Sequence, residues 1–186
     1  MKVFNELLLW LPDHTDGMTK KAEVLSALSQ RDEALVMYKK IISLQGETVS
    51  IRLGMGSIYY QQRMFREALV EFDRAFELFS SISTIKNKKD MKIDKKKDKK
   101  VKKDKNDQKG KKETVKNYDI EALLPRDKET KDTYSLILHR IGKCFKEFGE
   151  QDEALAVLSR ALEVTPGSKE IMMDIAAVMM ERGERS

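Results

Sequence analysis

Residues 135–168 read SLILHRIGKCFKEFGEQDEALAVLSRALEVTPGS, and their spacing decides the fold. Leu138, Ile141, Gly142 and Phe145 fall at i, i+3, i+4 and i+7, which lines them along one face of a helix. Gly149 follows, a residue type that takes a positive φ without strain and so ends a helix in a left-handed cap. A second run sets Ala154, Leu158 and Ala161 on one face before Pro166 stops it. Two helices joined by a tight turn are expected. Helix backbones approach closely only where side chains are small, so Gly142 and Ala154 are the expected points of contact.

One hairpin cannot bury its apolar face alone, and the same spacing recurs upstream. Gly56, Tyr59, Ala68, Phe72 and Ala75 stand where Gly142, Phe145, Ala154, Leu158 and Ala161 stand. Ala22, Leu25, Ala34, Tyr38 and Ile41 carry the pattern again, with Ala34 set 34 residues before Ala68. This resembles the tetratricopeptide repeat, whose pattern is a bulky residue, x2-L-G-x2-Y, then A-x3-F, then P. The resemblance covers 1–82 and 135–186 and implies an all-α fold, with tetratricopeptide-type helical hairpins stacked as a right-handed superhelix. It sets full repeats at 15–48, 49–82 and 135–168, with half-repeats at both ends.

Taken in order, Pro12 stands at a closing-proline position, with Phe4 and Leu7 at second-helix core positions. Residues 2–11 are therefore expected to cap the array. Trp10 is read as packing against the next hairpin, in preference to a role as an aromatic ligand contact. Thr15 or Asp16 is expected to cap the first helix of the next repeat. Helices are expected over 16–29 and 32–44, then over 49–63 and 66–79. Gly54 and Gly56 are small packing residues, since no strand precedes them and no GK[ST] follows. Beyond Pro166, residues 169–182 form a further first helix with a stripe of Ile171, Met172, Ile175, Ala176 and Met179. That Met-rich stripe is expected to self-associate or to hold a partner.

Residues 83–134 break the 34-residue phase. Within them, 86–116 hold 16 Lys against six Asp and Glu, a net charge of +10 in a chain whose total is +5, so the remainder carries −5. Such a segment has too few apolar groups to offset ordering entropy and is read as disordered over 85–116, with a short helix over 119–124. The lysines read first as a self-repelling linker and second as a patch for nucleic acid or an anionic membrane surface. With no Arg or aromatic residue over 86–116, any such binding is expected to be weak, non-specific and salt-sensitive.

Other classes find little support. The single cysteine excludes an internal disulfide, and no run of 18 apolar residues is present. The N-terminal apolar run lacks a small-residue cleavage site, so a cytoplasmic protein is expected, with the Lys-rich stretch as a nuclear signal in second place. His14 and His139 belong to no metal motif, and Cys144 is read as a packing residue rather than a nucleophile paired with His139. No cofactor and no enzymatic activity are expected.

What the resemblance implies is a scaffold that binds another protein, as a peptide or a helix, in the concave groove lined by first helices. Its groove positions fall on Asp16, Thr19, Glu23, Ser26 and Ala27. In the second repeat they fall on Ser50, Leu53, Ser57, Tyr60 and Gln61, and in the third on Leu136, His139, Lys143, Lys146 and Glu147. The groove so drawn grades from acidic to basic. Glu23 and Ser57 occupy the places where the chaperone-binding subfamily carries Asn to grip a terminal carboxylate, so that activity is not implied.

Overall fold

The structure, a computed structural model, describes residues 2–94 and 127–183, with side chains for 2–83 and 127–183. Its helices are α1 (Lys2–Trp10), α2 (Thr15–Ala27), α3 (Arg31–Gln45), α4 (Val49–Gln61), α5 (Phe65–Asp94), α6 (Lys128–Phe148), α7 (Gln151–Val164) and α8 (Lys169–Gly183), and there is no strand among the described residues. The most extensive contacts join α2 with α3, α4 with α5 and α6 with α7, each a hairpin, and successive hairpins stack through α3 with α4 and α5 with α6. This is an α-solenoid.

The hairpins close where the sequence supplies small residues. A Cβ at Gly142 would stand 2.7 Å from Leu158 Cγ, and one at Gly56 would stand 2.5 Å from Phe72 Cε1. Gly142 thus meets Leu158, one turn beyond Ala154, which is itself wholly buried. Phe72 and Leu158 are also fully buried, each contributing about 1.5–3 kcal/mol of apolar burial. The turns share one geometry. Gln30, Met64 and Glu150 each donate a backbone N–H five residues back, to Leu25, Tyr59 and Phe145. The residue before each takes a positive φ: Ser29 at 62°, Arg63 at 61° and Gly149 at 76°. Only the third has the glycine that this conformation favours.

The third hairpin sits directly on the second. Tyr134 stacks on Phe79 with ring centroids 5.4 Å apart. Phe72, Phe76 and Phe79 of α5 share one buried cluster with Tyr134, Leu138 and Phe145 of α6 and with Leu158 of α7.

Several expectations change. α5 runs on to Asp94 rather than ending at 79, so its last turns belong to the Lys-rich segment. Residues 95–126, which include most of the stretch read as disordered and the helix expected over 119–124, lie outside the described residues. The cap of α2 is neither Thr15 nor Asp16 but His14, whose Nδ1 accepts the Gly17 N–H at 2.9 Å. Trp10 does not pack on the next hairpin. It is exposed, because α1 is held against α2 through its other face, where Leu7 abuts Gly17.

Candidate partner-binding groove

α2, α4 and α6 are the first helices of the hairpins, and their outer faces carry the expected groove residues. On α2, Glu23 is exposed and paired with Lys20 at 2.9 Å, while Asp16 and Ala27 are exposed and Thr19 and Ser26 half-buried. On α4, Leu53, Ser57 and Tyr60 are half-buried, Ser50 is exposed, and the exposed Gln61 accepts from Arg31 Nε at 3.3 Å. On α6, Leu136 and Glu147 are exposed, Lys143 and Lys146 half-buried and His139 buried.

Two clusters form from these residues. In the first, the Tyr60 hydroxyl donates to Glu147 Oε1 at 2.9 Å, and the Lys143 ammonium lies 5.5 Å from the centroid of the Tyr60 ring. Phe65 meets that ring edge-on at 5.2 Å, which fixes its orientation. Burial, and then the bond to Glu147, push the Tyr60 phenol above the usual tyrosine range. Tyr60, Lys143 and Glu147 thus join the second repeat's groove face to the third's.

The second cluster centres on Asp174 of α8. Its Oδ2 lies 2.7 Å from His139 Nε2, and its Oδ1 lies 3.9 Å from Lys146 Nζ. The expected acidic-to-basic gradient is therefore blunted at its basic end. Beside this cluster a cleft of ≈ 610 Å³ opens between α6 and α8, lined by Leu136, His139, Asp132, Lys128, Glu170 and Pro166 among others. Asp174 and Phe65 were not singled out from the sequence. Asp174 had a readable signal, being an acid beside Ile171, Ile175 and Val178 on the face of α8 that packs inward. Phe65 had none, because the first residue of a second helix has no fixed role in the repeat pattern.

The chemistry of Cys144 is inert. It is wholly buried, and burial pushes its thiol up to about 12, so no thiolate is present at neutral pH. Among the described residues no cluster of His, Cys, Asp and Glu is arranged to hold a metal ion, and no helix is long and apolar enough to cross a membrane.

The tetratricopeptide repeat family profile matches residues 137–168, the hairpin of α6 and α7. No curated protein sequence matches the chain. Among solved structures, that of the MamA protein superposes with a TM-score of 0.60 at 13% identity, covering 98% of this chain and 71% of its own. The first such domain of human RPAP3 gives 0.59 at 14% identity, covering 93% and 95%. The first of Spaghetti (RPAP3), bound to the HSP90 peptide SRMEEVD, gives 0.58 at 14% identity, covering 91% and 93%. Likenesses at this identity carry the fold, a right-handed superhelix of helical hairpins, and the matched repeat lies within it. The chain thus carries a match to the tetratricopeptide repeat at 137–168, within a fold shared with these structures.

Proposed function

We propose that the chain is a non-catalytic scaffold that binds a peptide or helix of another protein along the face formed by α2, α4 and α6. The observation that carries this reading is the Tyr60–Lys143–Glu147 junction, which makes the faces of α4 and α6 one surface. A face of exposed and half-buried, mostly polar side chains on stacked helices suits an extended ligand, whose backbone and alternate side chains need many small contacts. The HSP90 peptide of the Spaghetti structure is not the model for that ligand. By the resemblance Glu23 and Ser57 fall where the chaperone-binding subfamily carries Asn, so the amide donors that would grip a terminal carboxylate are missing.

The Lys-rich segment supports a second reading, an electrostatic adaptor for nucleic acid or an anionic membrane surface, on its charge of +10 over 86–116 alone. The 169–182 helix supports self-association. A display library of random peptides, selected on the immobilised full chain, tests the groove. Selected peptides are expected to lose at least about tenfold in affinity to Tyr60→Ala with Lys143→Glu, roughly 1.4 kcal/mol. They should bind Met172→Glu with Met179→Glu as they bind the native chain. Peptides indifferent to the groove pair and lost on salt addition would favour the adaptor.

A further inference from the structure

α6 is longer than the other first helices of the hairpins, and the excess lies at its start. Matching Gly142 with Gly56 sets Val49, where α4 begins, at Ser135, and matching it with Ala22 sets Thr15, where α2 begins, at the same place. Residues 128–134 therefore have no counterpart in α2 or α4, and they lengthen α6 by about 10 Å at 1.5 Å per residue. Lys128 and Asp132 of this extension form one wall of the ≈ 610 Å³ cleft, and the turn at 165–168 with the start of α8 forms the other.

The lining is apolar or already bonded. Leu136, 42% exposed, lines the cleft together with Pro166. Of the buried polar residues there, Ser135 Oγ lies 2.6 Å from Thr165 Oγ1 and His139 Nε2 lies 2.7 Å from Asp174 Oδ2, so each has its partner within the chain. The rim is acidic. Asp132 and Glu170 are exposed and, among the described residues, in no ion pair, while Lys128 is the one lysine or arginine that lines the cleft. An adjoining hollow of ≈ 450 Å³ shares Lys128, Asp132 and Leu136 with it and adds a further acid, Glu129. The lysines of the groove are engaged elsewhere: Lys143 sits over Tyr60, and Lys146 Nζ is 3.9 Å from Asp174 Oδ1.

We propose that this cleft anchors the partner segment, taking a bulky apolar side chain flanked by Lys or Arg. The inference rests on the groove reading and adds the chemistry of the ligand. The volume lies within the range of about 300–1,000 Å³ typical of ligand pockets, room enough for the side chains of a peptide. Contact with Leu136 and Pro166 favours the apolar anchor. The carboxylates of Asp132 and Glu170 beside it favour a cation and repel a carboxylate or a phosphate, which turns nucleic acid and anionic lipid away from this site. Because α2 and α4 lack the extension, the wall belongs to the third repeat alone among the described hairpins, and an anchor there fixes the register of an extended ligand.

Selection of a random-peptide display library on the immobilised full chain tests this. Selected peptides are expected to share an apolar residue with Lys or Arg beside it. Their affinity is expected to fall at least about tenfold for Asp132→Lys with Glu170→Lys, and for Leu136→Ser. It is expected to fall less than about twofold for Glu6→Lys with Glu67→Lys, an exposed pair outside the cleft with the same change of charge. Exchanging the basic residues of a peptide for Glu is expected to restore its binding to the reversed cleft, which a misfolded variant would not allow. Peptides that lose affinity to Tyr60→Ala with Lys143→Glu but are indifferent to both cleft variants would leave the groove standing and overturn the anchor. An equal fall for the Glu6 and Glu67 pair would reduce the effect to diffuse charge and overturn it too. Peptides that bind only after residues 95–116 are excised would make the chain's own lysines the occupant, against the proposal. Indifference to groove and cleft variants alike overturns both readings.

Discussion

The Tyr60 hydroxyl donates to Glu147 Oε1 across 2.9 Å, although 87 residues separate the two in sequence. The bond crosses from the second repeat to the third, over the place where the repeat phase is interrupted. Between the same repeats, Phe76, Phe79 and Tyr134 share one buried apolar cluster.

Because Glu147 is exposed, losing this bond returns its carboxylate to water and leaves no buried orphan. Tyr60→Phe is expected to cost about 0.5–1.5 kcal/mol in chemical denaturation, and Glu147→Ala a similar amount. The double variant is expected to cost less than the sum, since both remove the same bond.

Ala68 and Ala154 are wholly buried between helices. Aspartate at either site buries a charge with no partner, at a cost of about 3–5 kcal/mol. Ala68→Asp and Ala154→Asp are each expected to unfold the array in one transition, seen as a loss of helical circular dichroism. Unchanged melts for both would contradict the hairpin packing.

These alanines also mark what the sequence makes legible. Small residues at close helix contacts can be read because only a few types fit there: Gly56 and Ala68 point to one hairpin, and Gly142 and Ala154 to the next. Trp10 is less legible, since one side chain's exposure depends on which face of α1 finds a neighbour. His14 as a cap is harder still, because an imidazole nitrogen accepting a backbone N–H departs from the usual Ser, Thr, Asp and Asn. At the groove, repeat positions lead to Tyr60, Lys143 and Lys146, whereas Asp174 reaches His139 only through the stacking of α8 on α6. That pairing depends on tertiary geometry, which no spacing encodes.

Ser29 and Arg63 hold the left-handed conformation that Gly149 holds at the third turn. A side chain there costs about 1–2 kcal/mol, of which glycine's greater freedom in the unfolded chain returns part. Ser29→Gly and Arg63→Gly are each expected to stabilise the protein by about 0.5–1 kcal/mol, read as a rise in melting temperature. A fall for both would mean that contacts of the replaced side chains outweigh the strain.

Alkaline pH should weaken the fold. Burial raises the Tyr38 phenol from 10.0 to about 12 and the Cys144 thiol from 9.0 to about 12. Unfolding lets these groups ionise at their ordinary values, so the unfolded chain holds fewer protons in that range and raising pH favours it. Their stabilising contribution is complete below about pH 9 and is lost as pH rises toward about 12. Melting temperatures at stepped pH check this, and Cys144→Ala is expected to flatten the decline between pH 9 and 12.

The central claim is that the repeats on either side of the Lys-rich segment stack into one array with one continuous groove. Spin labels at Gln61 and Glu150, both exposed and flanking the Tyr60–Glu147 contact, test it in a Cys144→Ala background. Dipolar spectroscopy is expected to give one narrow, short distance, unchanged when residues 95–116 are excised, because the α5–α6 packing and not the connecting segment sets it. A broad distribution reaching long distances would show that the two halves move independently, and would contradict the account.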